Sequence, residues 1–114
     1  MEHLFFYVGL SFILTHELDA IRLKEWTVFP LLSKLNDNLG FIVFTILHIP
    51  LFILLFYGLK TNQEQTIKWL DIFFIIHIGL HLLILKNRKN PFKSIFSWTI
   101  IIFSGLFGFL DLVL

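Results

Sequence analysis

The 114-residue chain contains no cysteine. That excludes disulfides, cysteine-held iron–sulfur clusters and covalent haem attachment, and it leaves the redox compartment unread. Charge is scarce too: only 15% of residues are Asp, Glu, Lys or Arg, and nine basic side chains nearly cancel eight acidic ones. No basic stripe interleaved with aromatics is present, so no nucleic-acid partner is expected. The sequence shows no glycine-rich phosphate loop, internal repeat or low-complexity segment. The start, "MEH", is not basic, and no small-residue cleavage site follows the first apolar run, so a cleaved secretory leader is not expected.

Apolar residues fill the space: the chain is 57% hydrophobic, with 15 Phe. A soluble domain of this size cannot hide so much apolar surface. Four apolar runs, at 4–26, 39–59, 67–86 and 94–114, each approach the ~20 residues that cross a bilayer core of ~30 Å. The breaks between them, "SKLNDN", "KTNQEQ" and "KNRKNP", carry the polar and turn-forming residues. The expectation is an all-α polytopic membrane protein, a four-transmembrane-helix bundle forming a single domain over 1–114. Arg22, Lys24, Lys34, Lys86, Arg88, Lys89 and Lys93 flank the first and third connections, against Lys60 and Lys68 at the second. The positive-inside rule then puts both termini outside (periplasmic or extracellular) in a bacterial inner membrane. Trp26, Trp69 and Tyr57 fall near helix ends, where amphipathic rings favour the membrane interface.

Ionisable groups inside a span are costly and usually face a bundle interior or cavity. Helix 1 carries His16, Glu17, Asp19 and Arg22, helix 2 carries His48, and helix 3 carries His77 and His81. Asp111, at the far end of helix 4, is expected at the interface. Counted from Trp26, Leu39 and Lys86, the residues His16, Glu17, His48 and His77 share one depth, roughly 14 Å in at 1.5 Å per residue. In "HIGLH" the spacing stacks His77 and His81 on one helix face. Glu17 lies about 100° round the helix from His16 and about 160° from Asp19, so both carboxylates cannot enter one small site. Pro50 follows His48 closely and loosens helix 2 at the carbonyl of Ile46.

Three imidazoles with an open fourth position is the arrangement that lets zinc activate water. The candidate ligands are His48, His77 and His81, with His16 as a fourth, and Glu17 or Asp19 as the catalytic acid or base. Zinc is the first choice and iron the second, since helix bundles host such centres on facing helices. Haem, held by His48 with His77 or His81, ranks lower. A metal-dependent hydrolase or oxidase would take a lipid or other apolar substrate from the bilayer. The alternatives are a proton-coupled transporter using the same groups as a relay, a structural subunit of a larger complex, or a homo-oligomer. Purely structural hydrogen bonding between helices accounts for the same residues without a ligand. Ser104 and Gly108, beside Gly105, form a small-x-x-x-small pattern expected to pack helix 4 closely in the bundle.

With "THELDAIRLKEW", "LHIPLF" and "HIGLH", the chain resembles small bacterial polytopic membrane proteins of uncharacterised families. Its "HELDA" stretch is similar to the His-x-x-Glu-Glu signature of the HXXEE family, with Asp19 and Ala20 standing where two glutamates would be. The resemblance implies that His16 and Asp19 correspond to signature positions, and it brings no activity with it.

Overall fold

The computed structural model describes residues 3–28, 31–84 and 94–114. Its long helices are α1 (Leu4–Arg22), α2 (Asp37–Thr61), α3 (Gln63–Ile84) and α4 (Ile95–Val113), with two short 3₁₀ turns, Glu25–Val28 and Leu32–Lys34, between α1 and α2. All four helices are long and apolar enough to cross a membrane. The "KNRKNP" break, with Lys86, Arg88, Lys89 and Lys93, lies outside the described residues, as do Phe29 and Pro30.

Local chemistry sets the helix ends. Asn36 caps α2, its Oδ1 accepting from the Leu39 amide at 2.8 Å, and Ser94 caps α4 through the Ser97 amide. Inside the spans, the hydroxyls of Ser11, Thr15, Thr61 and Thr99 donate to carbonyls four residues back on their own helix. A polar side chain can thus face hydrocarbon without an unsatisfied donor. Helix α1 stops at Arg22 rather than at Trp26, because Lys24 adopts a left-handed φ of 56°, a conformation that ends helices. The reversal drops Glu25 and Trp26 beneath the bundle, where both are buried. Trp26 is therefore not an interface ring: it lies over Gly40 of α2, where an added Cβ would fall 2.2 Å from its Nε1. Between α2 and α3 the break is shorter than the sequence suggests, with only Asn62 outside a helix.

Helices α1, α3 and α4 form the tight part of the bundle. Small residues of α4 let its neighbours approach: Gly105 meets Ile78 and the Phe74 carbonyl, Gly108 meets the Asp71 carbonyl, and the Ser104 carbonyl faces Gly9 of α1. The small-x-x-x-small pattern packs α4 against both partners, as expected. Helix α2 is peripheral, with only Gly40 and Phe44 buried. Two apolar clusters occupy the two halves of the interior: Phe6, Leu10, Ile13, Ile67 and Phe74 at the end bearing the chain termini, and Ala20, Trp26, Phe44 and Ile101 at the other. His16 falls between them along α1, and His77 and His81 follow Phe74 of the first cluster along α3.

Candidate metal centre

One helical turn separates His77 from His81 on the buried face of α3, and their ring centroids stand 4.6 Å apart. His16, on the face of α1 that packs inward, closes the third side, 4.6 Å from His77 and 4.9 Å from His81. All three are buried, and each offers a ligand atom within 4.8 Å of the other two. Two nitrogens at about 2.1 Å from one tetrahedral zinc ion stand about 3.4 Å apart, so the rings must draw inward, by up to about 1.4 Å across the widest pair, to hold an ion. Nδ1 of His77 is buried and has no hydrogen-bond partner among the described residues. A buried ring nitrogen in that state is costly unless something occupies it.

His81 turns Nε2 toward Oε1 of Glu25, 3.6 Å away. A carboxyl group behind a ligating imidazole helps to orient the ring. Burial pushes the Glu25 carboxyl up to about 8, the Glu17 carboxylate adding to the shift and His48 opposing it.

His48 stands apart from the three-histidine cluster. Its Nδ1 is 2.8 Å from the Phe44 carbonyl and its Nε2 is 2.5 Å from Oε2 of Glu17. Both nitrogens are engaged, Nδ1 within α2 itself and Nε2 in tying α2 to α1. The depth argument therefore places two pairs at one level, His16 with His77 and Glu17 with His48, but not one four-histidine site. Asp19 is also held elsewhere: its Oδ1 accepts from Arg22 at 2.7 Å and its Oδ2 from the Ser97 hydroxyl at 2.6 Å. The two carboxylates diverge, as their angular positions require, and it is Glu17 that faces the cavity beside the cluster.

That cavity, of about 650 Å³, is lined on its polar side by Glu17, Glu25, His48, His77 and His81. Its volume is typical of small-molecule sites. The remaining lining is apolar and comes mainly from α2 and α3; Leu47, Leu51, Leu80 and Leu83 line it and are themselves exposed, so it opens on the helix surface that faces lipid. A second apolar cleft of about 540 Å³ lies on the other side of the Glu17–His48 pair.

Two functional candidates are absent from the sequence reading. Glu25 falls at the charged end of the first run, 4–26, and nothing local announces the left-handed turn at Lys24 that buries it. Asp71 was visible, as an acid inside the apolar stretch "LDIFFII", and an inventory of every ionisable residue in the spans finds it. Asp111, expected at the interface, has a side chain only 10% exposed.

The model of a "Family of unknown function (DUF6713)" matches residues 2–114, so the chain belongs to that family. The match bears out the resemblance to uncharacterised families and specifies this family, not the one with the His-x-x-Glu-Glu signature. Neither a curated protein nor a solved structure matches the chain.

Proposed function

We propose that this member of an uncharacterised family binds one transition-metal ion in the membrane through His16, His77 and His81, with zinc the first choice and iron the second. The observation that carries the reading is the convergence of three buried imidazoles within 4.8 Å of one another, two of which, His77 and His81, also line a cavity shared with two carboxylates. Three protein nitrogens and an open fourth position are the donor set of a catalytic rather than a structural zinc site. A bound ion there would supply a Lewis acid and lower the pKa of a coordinated water. The chain's own residues complete the site. Glu25 orients His81, and Glu17 faces the same cavity as a proton acceptor or donor held in place by His48. The apolar walls and lipid-facing rim of the cavity favour a lipid or other apolar substrate entering sideways between α2 and α3.

Elemental analysis of protein purified without chelator or nickel affinity tests this. One ion per chain is expected, lost in His16→Gln and His77→Gln and retained in His48→Gln. Metal-free wild-type protein whose thermal transition does not move on adding zinc or iron would overturn the metal reading. The lysine and arginine asymmetry further supports placing the cavity in the cytoplasmic half of the bundle. A cysteine replacing Asn62 should then be labelled from outside intact cells, and one replacing Asn87 should not; the reverse pattern would invert the orientation.

A further inference from the structure

At the end of the bundle opposite the metal centre, four ionisable residues form a series that the proposed function does not use. Nε2 of His3 is 3.0 Å from Oε1 of Glu64, and its Nδ1 is 3.6 Å from Oδ2 of Asp111. Asp111 in turn stands beside Asp71, one turn beyond the point where Gly108 meets the Asp71 carbonyl, close enough for the two carboxyl groups to act on one another. The side chains run from 75% exposed at Glu64 through 22% at His3 to 10% at Asp111, and Asp71 is 1% exposed. The series thus begins in water and ends inside the bundle.

Several features build this arrangement. His3 caps α1 with a φ of 62°, a left-handed conformation uncommon outside glycine, and its ring reaches both Glu64 and Asp111. Gly108 lets α4 come within contact of the Asp71 carbonyl, which brings Asp111, one turn further on, beside Asp71. Two neighbouring carboxyl groups bond to one another only when one of them carries a proton, because ionised carboxylates only accept. Oδ1 of Asp71 is buried with no partner among the described residues. Beyond Asp71, the rings of Phe6 and Phe74 stack at 5.9 Å, both essentially inaccessible, and separate the acid from His77.

We propose that Glu64, His3, Asp111 and Asp71 form a proton path from the surface to a proton-binding site on Asp71 inside the bundle. The step balances without electron transfer. Glu64 takes a proton from water and gives it to Nε2 of His3 while Nδ1 releases its own proton to Asp111, directly or through one bridging water, and Asp111 passes it to Asp71. The aromatic stack makes the path one-ended, loaded only from the surface that carries Glu64. An intramembrane acid whose sole role was packing would need no graded route to water.

Infrared difference spectroscopy on the full chain in lipid nanodiscs tests the proposal. Among the carbonyl stretches of protonated carboxyls in the wild type, one is expected to persist in Glu25→Gln and in His16→Gln and to be lost in Asp71→Asn. On transfer to D₂O that band should shift quickly in the wild type. In His3→Gln, which keeps Asp71 in place, the shift should be slower by about 10²-fold, the lower end of what a positioned proton donor contributes. If Asp71→Asn removes no band beyond the one that Glu25→Gln removes, the binding site is overturned. A band that exchanges equally fast in wild type and His3→Gln overturns the path, and that comparison holds even if Asp71→Asn fails to fold.

Discussion

Oε2 of Glu17 lies 2.5 Å from Nε2 of His48, and this single pair stands between two apolar clefts. It is the main polar tie of α2, whose buried surface is small. Replacing either partner with Gln should weaken α2 docking by about 1–2 kcal/mol, the upper range for a polar contact between membrane helices. Metal content should stay at the wild-type level in both variants. Unfolding in mixed micelles with parallel elemental analysis checks both halves, and loss of metal in His48→Gln would bring His48 back into the ligand set.

Glu25 touches His81 but is not a ligand candidate itself. Glu25→Gln should therefore lower metal affinity by about 10–100-fold without changing saturating stoichiometry, as expected when a group that orients a ligand is altered. A competition titration against a chelator measures it, and unchanged affinity would detach Glu25 from the site.

The glycines separate packing from propensity. A Cβ on Gly108 would fall 2.9 Å from the backbone carbonyl of Asp71, whereas one on Gly79 meets nothing within 4 Å. Gly108→Ala should destabilise the bundle by about 1–3 kcal/mol through overpacking. Gly79→Ala should be neutral or stabilising by up to about 1 kcal/mol from helix propensity. Paired unfolding curves give both signs at once.

His3 supplies a pH dependence. Its hydrogen bond to Glu64, with smaller help from Asp111, raises its pKa above the ordinary value. A raised folded value means the protonated pair adds stability that is complete below about pH 6.5, the unperturbed value, and is lost as pH rises through the raised one. The thermal transition of the wild type should fall across that window relative to His3→Gln. Parallel curves for the two proteins would show that the contact contributes nothing.

The four spans were legible because length and hydropathy alone decide whether a helix can cross hydrocarbon. The depth shared by His16, Glu17, His48 and His77 was legible for a similar reason, since rise per residue is fixed by the helix. Which of them meet was not. Helix rotation and tilt decide that, and these come from contacts such as Gly9 against Ser104 or Trp26 over Gly40, whose partners are far apart in sequence. Glu25 was hidden by a single backbone angle at Lys24, a residue type that gives no warning of a left-handed turn. Asp71 was open to view as an acid among Ile, Leu and Phe, but its importance was not, because its neighbour Asp111 on α4 is forty residues away in sequence.

The packing of α1 on α4 joins the first of these four spans to the fourth. Until α4 arrives, the Gly9 face of α1 and the carboxylate of Asp19 have no helix to receive them. Asp19 is already bonded to Arg22 within its own helix, at 2.7 and 3.1 Å, so its charge is neutralised locally before Ser97 has been synthesised. The same ion pair that looks redundant in the finished bundle lets α1 wait in lipid for α4.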